Sequence, residues 1–436
     1  MTTRKFFSFV LLFSALTAHA QKDSSFVVNI ENEAIHKYMT EVYYTSVEDE
    51  PQEEKYNVAP PLRRDIPNPA IVKLPEVSTD SLILVYSQDS EFTPSDTIGI
   101  KPGSKEVSIY NLVPYHFYYY KVENVAKNND EPSLSSFLDD PIASGTIEVE
   151  GQVRMIYAPS AFNIRDIGGW STTDGKHIKY EKIYRGSELN GSFPADSIDI
   201  VTLRNLGIAA EIDMRAWYDD MHGVSAFGFL SASEVESGEV PSFYASGDSG
   251  QLLEHLTQYM YLYRWRMEFQ FVVKNMRVGR PVYVHCRHGA DRTGFFCLLL
   301  EGLLGVDYDG MVKDYMLTSF KGMFREKSVA DGIISFINDL PGSTMQEKFN
   351  YFFIYKVGVS QSDIDYFRSE MLEDGIITLV APSSSSTLSS PSSSTSCLPG
   401  FYDLRGVKVD KTALHHYHGM LIEVDSDGTS KLRLIR

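Results

Sequence analysis

Apolar positions along the chain change texture three times, and each texture predicts a different kind of structure. From residue 21 to about 150 they come as short β-branched and aromatic runs: Leu82-Ile83-Leu84-Val85-Tyr86, Val107 to Leu112, and Phe117 to Val122. Turn-forming residues bound these runs, which predicts an all-β sandwich over 21–150. Prolines and acidic residues between 48 and 75 predict a long irregular connection within it. From 151 to 378 strand-like and helix-like segments alternate. Ile208 to Met214 reads as a short strand, Leu252 to Met276 carries apolar residues at helical spacing, and Pro281 to Val284 reads as a buried strand. Phe295 to Leu304 and Asp309 to Phe320 read as helices. Such alternation predicts an α/β domain with a partly parallel sheet. Residues 379–398 are dominated by Ser, Thr and Pro and predict a disordered linker. Residues 399–436 return to short alternating strands, a small β-module on that linker. The fold class expected is therefore multidomain: β-sandwich, α/β domain, β-module.

Length and charge narrow the function. At 436 residues the chain exceeds one ordinary core. Its net charge of −18 argues against nucleic-acid binding and against docking on an anionic membrane, so an anionic substrate needs a local positive site. Residues 1–20 read as a secretory signal peptide. Arg4 and Lys5 precede an apolar run from Phe6 to Ala18, and Ala18-His19-Ala20 offers small residues for cleavage. No later run is long and apolar enough to predict a transmembrane helix. Export to the periplasm, cell surface or exterior is expected.

Only Cys286, Cys297 and Cys397 are present, in unlike contexts, which does not describe a disulfide scaffold. Cys286 opens the string Cys286-Arg287-His288-Gly289-Ala290-Asp291-Arg292-Thr293-Gly294, between a predicted strand and a predicted helix. A Cys and an Arg with five residues between them at such a turn make an anion cradle, lined by backbone N–H groups and the helix N-terminus. The same positive surroundings lower a thiol pKa from its usual ~8.5. Arg292 can fork onto two phosphoryl oxygens, which a Lys cannot. Gly289 relaxes a tight turn, the Thr293 hydroxyl is placed to donate to the sulfur, and His285 sets the loop geometry rather than acting as a base. Arg287, His288, Gly289, Ala290 and Thr293 are the expected substrate-binding positions. No Gly-Lys-Ser/Thr follows, so this is not a nucleotide loop, and the crowded His285, Cys286 and His288 do not make a zinc site.

The run from His285 to Gly294 resembles the His-Cys-x5-Arg-Thr-Gly signature of the protein tyrosine phosphatase superfamily. With Asp291 directly before Arg292, it is similar to the bacterial tyrosine/dual-specificity phosphatases. Asn163-Ile164-Arg165-Asp166-Ile167-Gly168-Gly169 resembles that family's Asn-Phe-Arg-Asp-Leu-Gly-Gly opening, followed by Ile183-Tyr184-Arg185-Gly186-Ser187. Leu206-Gly207-Ile208 running into Ile212-Asp213-Met214-Arg215 resembles a third motif. The resemblance implies hydrolysis of phosphotyrosine or related phosphomonoesters through a cysteinyl-phosphate, with Cys286 as nucleophile, Arg292 stabilising the transferring group, and no metal or cofactor. It implies Asp291 as general acid. Asp213 is the alternative, or a carboxylate that orients Arg292, and Asp219, Asp220 and Asp248 are further carboxylates on a predicted loop. Asn163, Arg165, Asp166, His285 and Arg215 are expected to brace the site. Where the family usually has Lys this chain has Ala290, which weakens the case for phosphoinositides unless Arg287 and His288 compensate.

Two weaker likenesses flank this region. Tyr110 to Val122 resembles the Leu-x-Pro turn and Tyr-x-Tyr-x-Val strand of a fibronectin type III sandwich, whose ligand the sequence does not name. Gly400 to Val409 with Lys431 to Arg436 is similar to the C-terminal modules of type IX secretion substrates. Cys297 on an apolar helix reads as core. Cys397 reads as exposed linker, and His415, His416 and His418 as a solvated turn. The reading set against catalysis is a phosphate-binding pseudoenzyme acting through its sandwich.

Overall fold

Strand order, more than strand count, explains where the chemistry of this chain sits. In the computed structural model, the described residues are 23–40, 63–75, 77–125, 141–216, 218–237, 254–321, 325 and 327–374. The backbone of 400–402, 408–409, 419–424 and 430–435 is also described. The expected signal peptide at 1–20, the Ser-rich segment 379–398 with Cys397, Asp248, and His415, His416 and His418 lie outside the described residues.

Two compact units divide the chain. One comprises Met1–Phe26, Ile71–Val107 and Tyr118–Ile147; the other comprises Val27–Ala70, Ser108–Phe117 and Glu148–Arg436. The expected boundary at 150 falls beside Glu148, while Val27–Ala70 joins the later unit rather than the β-rich one.

The early strands are β1 (Asp23–Asn29), β2 (Ala70–Lys73), β3 (Leu82–Ser87), β4 (Asp96–Ile100), β5 (Glu106–Ile109), β6 (Phe117–Asn124) and β7 (Ala143–Glu150). They form a five-stranded sheet ordered β1-β7-β6-β3-β4 and a β2-β5 pair. In β3, Leu82 and Leu84 are buried in alternation, the period-two pattern of a half-covered strand. The Tyr-rich run lies in β6, where Tyr118, Tyr120 and Val122 point inward.

The later unit begins with α1 (Glu33–Thr40). It then carries β8 (Arg165–Asp166), β9 (Lys176–Ile178), β10 (Ile183–Gly186), α2 (Ser197–Asn205), β11 (Ala210–Asp213), β12 (Val235–Glu236), α3 (Tyr259–Met276) and β13 (Val282–His285). Helices α4 (Asp291–Leu304), α5 (Tyr308–Leu317), α6 (Lys327–Asn338), α7 (Met345–Tyr351) and α8 (Gln361–Met371) follow, then β14 (Leu372–Asp374). A 3-10 turn at Thr318–Lys321 closes α5. The central sheet runs β12-β11-β13-β10-β8, with β13 parallel to both β10 and β11 and only β8 antiparallel. This is the α/β domain expected from the sequence. Every residue of β13 is buried, so its sequence reads as a continuous run instead of alternating. In parallel sheets, sites form beyond the carboxyl ends of the strands, and the central strand here delivers Cys286 to that edge.

Helix α4 is buried from Arg292 through Leu304, which accounts for its apolar character all round. It packs against α5, α6 and α7. Cys297 lies within this core, its thiol pushed up to about 12 by burial, as suits an inert side chain. Beyond the linker, β15 (Gly400–Tyr402), β16 (Lys408–Val409), β17 (Gly419–Val424) and β18 (Ser430–Ile435) pair in an antiparallel sheet ordered β16-β15-β17-β18. No helix among the described residues is long and apolar enough to cross a membrane.

Candidate active site

The loop 286–290 joins β13 to α4. Gly289 has φ +66°, and a Cβ there would lie 2.1 Å from the Gly186 carbonyl oxygen, so this position requires glycine. Ala290 caps α4 without a side-chain hydrogen bond, leaving the first-turn N–H groups of the helix to face the loop.

Three buried side chains hold the outer side of this loop. Asn163 Nδ2 donates to the His288 and Gly289 carbonyls at 3.0 and 3.1 Å, and Arg185 Nη2 donates to the Gly289 carbonyl at 3.1 Å. These carbonyl dipoles are spent on the protein rather than opposed to an incoming anion. Arg165 Nη1 donates to Asn163 Oδ1 at 2.7 Å, and its Nε donates to Asp314 Oδ1 at 2.8 Å. Asp314 also accepts from Arg185, so one carboxylate on α5 neutralises two buried guanidinium groups. Burial alone would raise its pKa, but Arg165 and Arg185 hold it well below the usual carboxylate range. Beside it Glu301 is raised well above that range by burial and by Asp314. Asp314→Ala strands two buried cations and is expected to cost about 3–5 kcal/mol in urea unfolding. A loss below about 1 kcal/mol would mean that Asp314 does not organise the loop.

Cys286 is 3% exposed and Arg292 6%. Burial by itself raises the thiol pKa, yet Arg292 and the main chain and hydroxyl of Thr293 bring it below its ordinary value. The Thr293 hydroxyl is buried with no other hydrogen-bond partner among the described residues. His285 Nε2 faces Glu211 Oε1 at 2.9 Å and its Nδ1 faces the Cys286 carbonyl at 3.1 Å. Burial opposes protonation of this imidazole, but Asp213 and Glu211 outweigh it and raise the pKa. His285 thus links the end of β13 to Glu211 on β11 and to the Cys286 main chain.

Arg292 Nη1 donates to the Met214 carbonyl at 2.9 Å and lies 3.4 Å from Asp219 Oδ2. Asp213 does not orient it. Its carboxylate instead accepts from Arg215 Nε at 2.9 Å, Arg215 Nη2 at 2.8 Å, and the Arg215 and Gly223 N–H groups at 3.0 and 2.9 Å. Burial would raise its pKa, but His285 and Arg215 drive it far below the usual range, so Asp213 holds no proton to donate. Arg215 continues to Glu188, Asn190 and the Asp220 and Met221 carbonyls, tying the turn at 216–223 to the strand end.

Asp291 is raised by burial against the opposing pull of Arg325 and Arg292, and lies 3.2 Å from Arg325 Nε. A carboxyl whose pKa is raised by burial, at the first turn of the helix that follows Cys286, is the kind of group that general acid catalysis uses. Asp166 belongs to a different neighbourhood. Adjacent strand residues face opposite ways, and while Arg165 faces the loop, Asp166 binds Arg154 at 3.2 Å and the Gly168 and Glu181 N–H groups.

The rim is aromatic and basic. Phe162 and Phe193 meet edge to face at 5.3 Å, and Phe193 lies 5.1 Å from the His288 ring. Lys321 Nζ sits 3.2 Å from the Phe162 ring centre, and exposed Arg287 donates to Ser192 Oγ at 3.1 Å. Burial, then Lys321, Arg325, Arg287 and Arg292, push His288 down to about 3. His288 is therefore neutral near pH 7 and does not replace the charge missing at Ala290; Arg287, Lys321 and Arg325 surround the loop instead.

The strand end thus brings together a buried thiol of depressed pKa, the Arg292 guanidinium that lowers it and the N-terminus of α4. The sequence profile of the Tyrosine phosphatase family matches residues 156–373. The chain belongs to this family, and is accordingly a phosphoric monoester hydrolase of phosphotyrosine type. It is 27% identical over 193 residues to a Cupriavidus necator protein bearing a tyrosine-protein phosphatase name, covering 42% of this chain and 69% of that one. It is 28% identical over 197 residues to the triple specificity protein phosphatase PtpB of Mycobacterium tuberculosis, covering 36% and 67% respectively. The crystal structure of TpbA from P. aeruginosa aligns with 46% of this chain and 94% of its own, at 16% identity and a TM-score of 0.22.

Proposed function

We propose that this chain is an exported phosphatase acting through a cysteinyl-phosphate, with Cys286 as nucleophile, Arg292 as the clamp on the transferring group and Asp291 as general acid. The observation that carries the reading is the depressed thiol of Cys286 beside Arg292, at the carboxyl edge of the central strand. The Cys286 thiolate attacks phosphorus as the ester P–O bond breaks, and the leaving oxygen takes the Asp291 proton. Water then attacks the phosphoryl group, the S–P bond breaks, and its proton passes to the Asp291 carboxylate. Thr293 donates to the departing sulfur, and Arg292 forks onto equatorial oxygens where charge builds.

The Phe162–Phe193 rim favours an aryl ester over an alkyl one. The Mycobacterium relative's triple-specificity name makes phosphoserine/threonine and phosphoinositide substrates the comparison set. Export is supported by the charged, apolar and small-residue order of residues 1–20. The strand pairing of β3, β4 and β6 supports an N-terminal β-domain, and β15 to β18 support a C-terminal β-module.

Phosphotyrosine has a poor leaving group, so Asp291→Asn is expected to lower its kcat by about 10²-fold or more, and that for para-nitrophenyl phosphate less. The wild-type rate should fall as pH rises through the raised Asp291 pKa, because the carboxylate cannot donate. The variant should lack that alkaline limb. A variant that keeps both the rate and the limb would move the acid role to Asp219.

A further inference from the structure

The stretch Arg63–Pro69 lies outside the family-matched residues 156–373. Pro67 and Pro69 have no N–H to donate, so side chains and scattered backbone bonds hold the stretch. Asn32 Nδ2 donates to the Arg64 and Ile66 carbonyls at 2.6 and 2.8 Å, and the Arg64 N–H donates to the Phe320 carbonyl at 2.9 Å. Arg63 Nη1 donates to the Ala158 and Pro159 carbonyls at 3.2 and 3.0 Å. Between these anchors Asp65 is 2% exposed. Its carboxylate accepts from Arg63 Nε at 3.1 Å and Nη2 at 3.3 Å, and from the Asn163 backbone N–H at 2.7 Å.

Asn163 adopts φ +54°, a left-handed conformation, and is the residue whose amide holds the His288 and Gly289 carbonyls. A backbone in that region persists only where its surroundings fix it. We propose that Asp65 is a positioning residue of the phosphate-binding loop, acting through the Asn163 main chain. The catalytic unit is then incomplete without a segment that the family profile does not include. This rests on the proposed function, since the loop is taken as the seat of chemistry.

The test uses the full mature chain and two readouts: turnover of para-nitrophenyl phosphate, and the pH dependence of Cys286 alkylation by iodoacetamide. Asp65→Ala should raise the alkylation midpoint and lower kcat by about tenfold or more, because small displacements of a cradle cost rate steeply. Asp65→Asn, which keeps an acceptor for the Asn163 N–H, should recover most of both. The control is Glu31→Ala. Glu31 accepts from the Gln152 and Val153 N–H groups at 2.7 and 2.9 Å, so it anchors the same region away from the loop. Its loss should lower thermal stability while leaving alkylation and kcat unchanged. If Asp65→Ala does not fold, Asp65→Ser carries the same comparison. Unchanged alkylation and kcat in the folded Asp65 variants overturns the proposal, as does an equal shift in Glu31→Ala. Absence of turnover in wild type would defeat the proposed function, while the alkylation curves would still decide the role of Asp65.

Discussion

Cys286→Ser is expected to abolish hydrolysis of para-nitrophenyl phosphate, lowering kcat by at least about a thousandfold. The cradle does not make serine a nucleophile. Arg292 and Thr293 bring a thiol below its ordinary pKa, but a hydroxyl starts so much higher that the same surroundings leave it protonated. The variant should remain folded, because the exchange is nearly isosteric and the loop is held from outside by Asn163 and Arg185. It should also still bind phosphate, since the helix N-terminus and Arg292 remain. Steady-state rates together with inorganic-phosphate binding check this. Residual turnover within tenfold of wild type would place the nucleophile elsewhere.

Arg292→Lys carries the second-largest expected effect, a loss in kcat of about 10²–10³-fold. The charge is conserved, so a purely electrostatic role would predict little change. The fork is not conserved: Arg292 holds the Met214 carbonyl with Nη1 at 2.9 Å and reaches Asp219 Oδ2 with Nη1 and Nη2 at 3.4 and 3.5 Å, so its planar guanidinium serves several acceptors at once. A lysine has a single flexible ammonium for both tasks. The same change should raise the thiol pKa only modestly, because a cation remains nearby. A kcat within threefold of wild type would show that bidentate geometry is not what Arg292 supplies.

The loop was legible in the sequence because its parts are local. Cys286, Gly289, Asp291, Arg292 and Thr293 follow one another between a continuous apolar strand and an all-apolar helix, and both elements formed where their periodicity put them. Within the helix expected over Leu252 to Met276, residues 254–257 are helical, Gln258 interrupts, and α3 runs Tyr259–Met276, while the helix expected to Phe320 stops at Leu317 before a 3-10 turn. What pattern reading could not deliver was partnership across the chain. Asp314 shows only as a polar residue in a helix otherwise apolar toward the core, and nothing local reveals that it neutralises Arg165 and Arg185. Asp213 stood next to the right motif, yet its partner is Arg215, two residues on, rather than Arg292. The sequence offers His288 beside Arg287 as a substitute for the charge missing at Ala290, but burial, then Lys321, Arg325 and Arg287, push its pKa down to about 3, which nothing local in the sequence reveals. Asp65 sat in a proline-punctuated stretch that reads as a connection, since its bonds are made by side chains to residues far along the chain. Arg185 was visible in the motif after β8, though its contact with the Gly289 carbonyl was not.

The most direct test of the central claim is rapid acid quench of the mature protein turning over para-nitrophenyl phosphate, followed by peptide mass analysis. The account predicts one phosphoryl group on the peptide containing Cys286, absent from Cys286→Ser and accumulating further in Asp291→Asn if that residue also serves the second step. Sustained turnover with no phosphoryl group on that peptide, and no loss of rate after thiol alkylation, would contradict it.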